Sequence, residues 1–376
     1  MLPLLLRQGL SALAHDHGPL AFCASLALGA LAIRSFAGAQ RKVANQPSLA
    51  DLARAENILA RQPNAAAGLV RLGDKRLLFS ECGDAFIMYA RQGRSMIALF
   101  DPIGPRRQWT PLVLQFMAEA KARGCRPVFY QVSPDFLPVA IDTNVKALKL
   151  GEQAVLDLTN FSLAGKKWLN LRRAINRAER DGLVFEMLGP DDARTVFAEL
   201  AAVSDAWLAE QNVPEKGFSL GVFKQEYLTA GPVAIIRLKG RIVAFASVHT
   251  VSSSGDAFID LMRHVPGVHR GVMDLLFVRI MEYLRDQNFR SLNLGMAPLA
   301  GLSKHSQGAV WNRIGGRIFE NGERFYNFRG VREFKSKFHP DWQPRYLAVA
   351  GPGFPIVSLV DVTVLIGGGW KSVLKK

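Results

Sequence analysis

The pentapeptide Gly-Asp-Ala-Phe-Ile occurs twice in the chain, at residues 83–87 and at residues 255–259. Each copy is interpreted as a turn that enters an apolar strand, at a similar place in its half of the chain. Short strands followed by alternating strands and helices surround both copies, which is typical of a mixed α/β sheet. The repeat indicates an internal duplication, although a match of this length can also arise by chance. We therefore expect two similar α/β halves.

Hydrophobic periodicity divides each half into strands and helices. The strands expected in the first half are residues 68–72, 76–80, 85–90, 95–100 and 128–132, and its helices are residues 49–61 and 111–123. The strands expected in the second half are residues 233–238, 242–250, 257–262 and 291–294, and its helix is residues 271–286. Helical periodicity without a breaker over residues 191–211 predicts the connection between the halves.

The chain of 376 residues is strongly basic, with 47 Lys and Arg against 32 Asp and Glu, a formal net charge of +15. This excess favours anionic partners, either nucleic acid or acidic lipid, over a basic surface kept only for solubility. The hydrophobic share of 49% is enough for a substantial core and excludes a disordered tail. Cys23, Cys82 and Cys125 are scattered, which disfavours a disulfide framework or a zinc site. The sequence also lacks the zinc-protease motif H-E-x-x-H and the phosphate-binding motif G-x-x-x-x-G-K-[ST].

An apolar segment without charges covers residues 18–33 near the N-terminus. It is shorter than the roughly 20 residues that span a bilayer, but the side chain of Arg34 can snorkel and so lengthen it. Because Arg34, Arg41 and Lys42 follow it, the positive-inside tendency would leave the remaining chain in the cytoplasm. The alternative is a signal peptide cleaved after residues 37–39, which the position of Arg34 disfavours.

The densest polar segments lie in the second half. We expect Asp260 on a strand and Arg263 just past its end, where an acid and a base can share a site; a surface ion pair is the alternative. Residues 292–302 read as a strand that runs into a turn of small residues, which allows a ligand to approach the backbone closely. A simple tight turn is the alternative for this segment.

Residues 325–340 predict a helix with aromatic side chains on one stripe and cations on other faces. Its apolar stripe consists of Phe328, Val331, Phe334 and Phe338, and its cations are Arg332, Lys335 and Lys337. Residues 166–180 predict a second helix of this kind, with an apolar stripe of Trp168, Leu171, Ile175 and Ala178 and a cationic stripe of Lys166, Arg173, Arg177 and Arg180. Both cationic faces suit phosphate, and a solvated surface is the alternative for each.

At these residues the sequence resembles the C-terminal catalytic domain of the multiple peptide resistance factor family, the aminoacyl-phosphatidylglycerol synthases. The resemblance runs from about residue 48 to residue 349. Its matching pieces are residues 100–104, 130–132, the helix beginning at Lys166, residues 259–263 with 273–274, 293–302, and 325–337 continuing into 342–347. The last two of these pieces are the most specific.

The resemblance implies an α/β (α+β) protein of tandem GNAT-like acyltransferase folds joined by a helix, with a short apolar N-terminal segment. It implies the following boundaries: an apolar segment at 1–43, a first half at 44–189, a connecting helix at 190–212, a catalytic half at 213–352 and a tail at 353–376. It further implies a lipid tunnel between the halves and a tRNA-binding side opposite. Gly267 and Gly271 are four residues apart, a spacing that does not form the pyrophosphate loop of coenzyme A users and so argues against an acyl-CoA donor.

The activity that the resemblance implies is transfer of lysine or alanine from aminoacyl-tRNA to phosphatidylglycerol, without metal or other cofactor. This would alter membrane charge and resistance to cationic antimicrobial peptides. The implied activity also predicts that the protein lies at the bacterial inner membrane, with its catalytic domain in the cytoplasm. The alternatives are a peptidoglycan-branching aminoacyl-tRNA-dependent transferase and a non-catalytic membrane protein that binds tRNA or lipid.

There are three groups of candidate site residues, of which the first two follow from the resemblance and the third from the cationic stripe of residues 166–180. The catalytic candidates are Asp260, Arg263, Glu323 and Lys335. The substrate-binding candidates are Tyr326, Asn327, Arg329, Asp274, Asn293, Gly295 and Met296. The candidates for tRNA or phosphate binding are Lys166, Arg173, Arg177 and Arg180.

Overall fold

The structure is a computed structural model that describes residues 46–211, 215–251, 253–298, 300–301, 328–351 and 355–369. The apolar N-terminal segment and the candidates Glu323, Tyr326 and Asn327 lie outside the described residues, as does the side chain of Arg329.

The first half opens with helix α1 (Leu49–Leu59), whose first turn is closed by a capping box between Ser48 and Asp51. The strand predicted over residues 68–72 is wrong, because this segment belongs to a 3₁₀ helix, Ala65–Leu72. Nearly every residue of that helix is buried, so its apolar run has no alternation that would distinguish a helix from a strand. The elements that follow are β1 (Arg76–Phe79), β2 (Phe86–Gln92), β3 (Ser95–Ile103), α2 (Trp109–Ala122), β4 (Arg126–Val132), α3 (Leu137–Asp142), β5 (Val145–Asp157) and α4 (Leu169–Arg180).

The second half contains the other elements. They are β6 (Leu183–Leu188), α5 (Pro190–Thr195), α6 (Phe197–Gln211), α7 (Gln225–Leu228), β7 (Val233–Leu238), β8 (Arg241–Val251), β9 (Asp256–His264), α8 (Val272–Asp286), β10 (Ser291–Pro298), α9 (Phe328–Ser336), β11 (Asp341–Ala350) and α10 (Pro355–Ile366). The helical segment predicted at 191–211 is present as α5 and α6, with Val196 between them.

The strands of both halves form one sheet of 11 strands in the order β1-β2-β3-β4-β11-β5-β10-β9-β8-β7-β6. At its centre the halves exchange strands. β11, from the second half, pairs with β4 and β5, while β5, from the first half, pairs with β11 and β10. The predicted α/β class is thus confirmed, with each half contributing a strand to the other.

The two halves share the GNAT-like arrangement that the sequence predicts. In the first half β3 pairs parallel with β4 across helix α2, and in the second half β9 pairs parallel with β10 across helix α8. The pentapeptide repeat does not mark equivalent positions, however. Residues 83–87 lead into β2, whereas residues 255–259 lead into β9, which is the counterpart of β3. The duplication is visible in the topology, and the placement predicted for the repeat is wrong.

One buried cluster draws residues from both halves and lies against the site described below. It includes Leu69 of the 3₁₀ helix, Tyr130 of β4, Phe258 of β9 and Leu347 of β11. A second cluster packs α4 and α8 against the strands of the second half. Across the described ranges, we find no helix with the length and apolarity needed to cross a bilayer.

Candidate active site

The parallel strands β9 and β10 stop pairing partway along their length, and we call the place where they diverge the opening. Their paired residues run from Asp256–Ser291 to Phe258–Asn293. On its other side β10 pairs with β5 from Ser291 to Pro298, interrupted by a bulge between Asn293 and Met296. Gly295 lies in the bulge with φ +83°, and its N–H donates to Oδ1 of Asn293 at 2.7 Å. The strand predicted at residues 291–294 is confirmed and extends to Pro298.

Lys335 of α9 reaches this opening. Its side chain is 7% exposed, and Nζ donates to the carbonyl oxygen of Met296 at 3.1 Å. A Cβ atom on Gly295 would lie 3.5 Å from this Nζ and 3.9 Å from the ring of Phe258, so the three residues are close neighbours. Burial lowers the pKa of Lys335 to about 7. The amine is therefore partly neutral near physiological pH.

A β-bulge determines the position of Asp260 on β9. Ile259 pairs with Val248 and Met262 pairs with Ala246, so two residues of β9 face the single residue Ser247 of β8. Strict alternation of side chains between the two faces of the sheet does not hold across such a bulge.

The Asp260 carboxylate accepts two hydrogen bonds. Oδ1 accepts from the N–H of Gly221 at 3.0 Å, and Oδ2 accepts from Tyr227 Oη at 2.6 Å. A Cβ atom on Gly221 would lie 1.9 Å from Oδ2, so this close approach requires glycine. Burial raises the pKa of Asp260, and the hydrogen bonds from Tyr227 and Gly221 and the charge of Lys75 oppose that rise.

Lys75 brings a second buried cation to the neighbourhood of Asp260. Only 1% of its surface is exposed, and Nζ binds the Asp74 carboxylate and donates to the carbonyl oxygen of Leu69 at 3.1 Å. Burial lowers the pKa of Lys75, while Asp74 and Asp260 raise it. Because Lys75 follows the 3₁₀ helix, the first half supplies part of the electrostatic surroundings of a carboxylate in the second.

Arg263 does not lie past the end of its strand, as predicted, because β9 continues to His264. Its guanidinium is buried at 3% exposure and binds Ser204 of α6 and Glu215. Asp260 binds Gly221 and Tyr227, so it does not form the surface ion pair with Arg263 that was the alternative, and a shared site for the two residues stays a prediction. Arg263 Nε is buried without a partner among the described residues, so one of the three guanidinium nitrogens makes no hydrogen bond there.

Asp274, at the first turn of α8, is a buried carboxylate. Lys337 Nζ binds both of its oxygens, at 2.9 and 3.3 Å. The Lys337 side chain is half exposed, so this ion pair joins α8 to the residues after α9 at the surface. Helix α9 ends at Ser336, before the predicted end at residue 340, but the predicted packing of the aromatic side chains is present: the rings of Phe334 and, just after the helix, Phe338 pack against Phe277 of α8.

The corresponding opening in the first half is bridged. Strands β3 and β4 pair as far as Leu99–Tyr130, after which Phe100 and Gln131 both adopt left-handed backbone conformations. Directly beyond them, the N–H of Ser133 donates to Oδ1 of Asp101 at 2.9 Å. The second half therefore offers the candidate site.

Helix α4 agrees with its prediction. The apolar stripe of Trp168, Leu171, Ile175 and Ala178 is buried against the second half. The predicted cations are exposed on the other side, and they are Lys166, Arg173, Arg177 and Arg180. Arg177 forms a long ion pair with Asp181 at 3.5 Å, a contact of little energetic weight at this exposure.

The sequence analysis missed the residues that hold Asp260 in place, chiefly Gly221, Tyr227 and Lys75. One signal was present: residues 217–221 read Gly-Phe-Ser-Leu-Gly, the G-x-S-x-G spacing of a nucleophile elbow. Here that segment is a loop rather than the turn between a strand and a helix that an elbow requires. Its last residue donates to Asp260 instead. Within the described ranges, no group of three His, Cys, Asp or Glu side chains is arranged to hold a metal ion.

Comparison with known protein families gives a match over most of the chain. The sequence profile described as phosphatidylglycerol lysyltransferase, C-terminal, matches residues 56–349. The phosphatidylglycerol lysyltransferase of Bacillus subtilis is 38% identical over 306 residues, which cover 81% of this chain and 35% of that protein. The chain thus spans about a third of the length of the curated relatives it matches.

Two solved structures resemble this one over nearly their whole length. The C-terminal domain of a protein assigned as a lysylphosphatidylglycerol synthetase of Agrobacterium fabrum has a TM-score of 0.79 and 48% identity, and the match covers 86% of this chain and 98% of that one. The structure of L-PGS from Bacillus licheniformis has a TM-score of 0.74 and 34% identity, with 87% and 99% covered.

Proposed function

The chain belongs to the family of the phosphatidylglycerol lysyltransferase C-terminal domain, and on that premise we propose that it transfers an aminoacyl group from a charged tRNA to phosphatidylglycerol. The observation that carries the proposal is the opening between β9 and β10. Lys335 reaches it, and Phe258, two residues before Asp260, lines it. The relatives are named lysyltransferases, so lysine is the first amino acid to test and alanine the second.

The reaction is a transesterification. A glycerol hydroxyl of phosphatidylglycerol attacks the carbonyl carbon of the aminoacyl ester, and its proton passes to neutral Lys335 Nζ. The tetrahedral oxyanion then collapses, the ester bond to the tRNA breaks, and the Lys335 ammonium returns the proton to the departing ribose oxygen, which becomes the free hydroxyl. A pKa of about 7 suits both steps, because a proton donor and acceptor works best when its pKa lies near the operating pH.

Asp260 binds the amino group of the aminoacyl residue in this proposal. Its carboxylate already accepts from Gly221 and Tyr227, which fixes its orientation and leaves lone pairs for an ammonium. Arg263, whose Nε has no partner among the described residues, stabilises the oxyanion or the lipid phosphate in this proposal. The substrate-binding roles of Asp274, Asn293, Gly295 and Met296, and of Glu323, Tyr326, Asn327 and Arg329, remain proposals from the family resemblance.

The exposed cations of α4 are the proposed contact for the tRNA phosphates. Three of these cations lie on α4 and Lys166 lies in the 3₁₀ turn just before it; they repel one another, and an anionic polymer relieves that repulsion. The apolar segment at residues 18–33 is the proposed anchor, with the catalytic domain on the cytoplasmic side of the bacterial inner membrane. Transfer of lysine there would make the lipid less anionic and raise resistance to cationic antimicrobial peptides.

The proposal is tested with the purified full chain, detergent-dispersed phosphatidylglycerol and tRNA charged with labelled lysine or alanine. The label is expected in a lipid that carries the amino acid as an ester. Parallel reactions with a muropeptide acceptor distinguish the peptidoglycan-branching alternative, and binding of tRNA without transfer to either acceptor would favour the non-catalytic one. Either result would overturn the proposal.

A further inference from the structure

A line of hydrogen bonds leads from the first half of the chain to Asp260. The Glu56 carboxylate binds Arg71 at 2.7 and 2.8 Å. Arg71 Nη1 lies 3.2 Å from Nδ1 of His249, and His249 Nε2 lies 2.9 Å from Tyr227 Oη. Tyr227 Oη in turn lies 2.6 Å from Asp260 Oδ2. His249 and Tyr227 are each 1% exposed, so water does not replace these partners.

The chemistry of the groups assigns a direction to every bond in this line. A guanidinium can only donate, so Nδ1 of His249 must accept from Arg71. The imidazole is neutral, since burial and the charge of Arg71 lower the pKa of His249 to about 3. Its single proton is therefore on Nε2 and is donated to Tyr227 Oη. The one proton of Tyr227 is then left for Asp260.

We propose that Arg71 and His249 are positioning residues for the transfer reaction, which act by directing the Tyr227 hydroxyl at the Asp260 carboxylate. The inference rests on the proposed function only because that function names the reaction that these residues support; the directions of the hydrogen bonds do not depend on it. With the opposite tautomer, Tyr227 would donate to His249 and turn a lone pair toward Asp260. The carboxylate would then lose a hydrogen-bond donor, and its orientation for binding an ammonium group would be less well fixed.

The packing around the line supports this role. A Cβ atom on Gly68 would lie 3.0 Å from Arg71 Nη1 and 3.1 Å from His249 Nδ1, so a glycine allows the backbone to come against both groups. The ring of His249 stacks on that of Phe258 at 6.2 Å between centroids, which holds the imidazole beside the opening. Arg71 belongs to the 3₁₀ helix, so a residue of the first half determines which atoms donate in the hydrogen bonds at a site in the second half.

A matched pair of variants at His249 tests the direction of the bonds. The amide nitrogen of His249→Gln can take the place of Nε2–H and still donate to Tyr227, whereas His249→Asn reaches only the Nδ1 position. We expect His249→Gln to keep kcat within about threefold, and His249→Asn and Tyr227→Phe to lose about 10- to 100-fold in kcat, the size of a lost hydrogen bond to a charged group. Equal activity of the Gln and Asn variants in well-folded protein would overturn the proposal.

Nitrogen NMR of the full-length protein labelled at histidine supplies a readout that does not depend on activity. The wild-type His249 signal, assigned by its loss in His249→Gln, is expected to be the neutral Nε2–H tautomer from pH 5 to pH 8, and Arg71→Met is expected to mix the tautomers. A wild-type signal from the Nδ1–H form would overturn the proposal. Correct tautomers without any lipid labelling by the wild type would instead count against the proposed function.

Discussion

Lys335 is an amine buried where a neutral side chain would be more stable. The unfolded chain keeps a lysine protonated up to about pH 10.4, whereas burial lowers the pKa of Lys335 to about 7. Between these two pKa values the unfolded chain binds more protons than the folded protein, so the free energy of unfolding rises with pH. Below pH 7 the whole cost of burying the charge remains.

Lys335→Met is therefore expected to remove transfer activity and to raise Tm by about 2 to 4 °C at pH 7. This gain should shrink as the pH rises toward 10. Thermal unfolding followed at several pH values measures it. Lys337→Met is the control, because that half-exposed lysine binds Asp274 and its loss should lower Tm slightly. A Tm difference for Lys335→Met that does not vary with pH would contradict this account.

Gly221→Ala tests the close contact that holds Asp260. The added methyl group would lie 1.9 Å from Oδ2 and would displace the carboxylate, so we expect at least a tenfold loss of kcat/KM and about 1 to 3 kcal/mol of stability. Gly217→Ala is the control in the same loop, because its methyl group would meet Val222 and Asp74 at ordinary distances of 3.8 and 3.9 Å. If both variants behaved alike, the contact with Asp260 would not be important.

The sequence pointed to Asp260 and Lys335 but not to the groups that surround them. Asp260 stands out as an acid within an apolar strand, and Lys335 as a cation beside aromatic residues. Tyr227 and Lys75 lie 33 and 185 residues from Asp260 along the chain, and nothing local links them to it. The bulge at Asp260 could not be predicted either, because one additional residue cannot be recognised in a short apolar segment.

Helix α4 was the element most fully predicted, because two stripes of different chemistry fix both its type and its buried face. If its exposed face meets tRNA, Arg173→Glu with Arg177→Glu should raise the KM for aminoacyl-tRNA and make binding less steeply dependent on salt. The control is Lys121→Glu with Lys146→Glu, an equal charge change at exposed positions of the first half. Reduced vesicle binding with unchanged tRNA binding would assign the face to lipid, and no change in either would assign it to solvent.

The central strands show what the sequence did not reveal at the scale of the whole molecule. Periodicity predicts that a segment is a strand, but the pairing of β11 between β4 and β5 is a contact across some 200 residues that no local pattern encodes. The repeated pentapeptide was likewise a poor guide, since its two copies enter strands that are not equivalent. The sequence analysis predicted β1 to β4 and β7 to β10 with helices α1, α2, α4, α6 and α8, but it did not predict β5, β6 or β11 as strands.

The strand exchange makes the halves depend on each other. Residues 44–182 expressed alone would leave β5 without both of its neighbours, and residues 183–376 alone would keep β6 with β7 but leave β11 without its neighbours. We expect each fragment to be poorly folded by near-UV circular dichroism and hydrogen exchange, and the two to regain the fold when co-expressed. Independent, cooperative unfolding of either fragment would contradict this expectation.

The central claim is that the opening between β9 and β10 performs aminoacyl transfer to phosphatidylglycerol. The most direct measurement is single-turnover transfer of labelled lysine from tRNA to lipid by the wild type and by Asp260→Asn, a nearly isosteric change that removes the site charge. The account predicts labelled lipid with the wild type, and at least a 100-fold slower transfer by a variant whose tRNA binding and Tm are little changed. Equal rates in the two proteins, or no labelled lipid from the folded wild type, would contradict it.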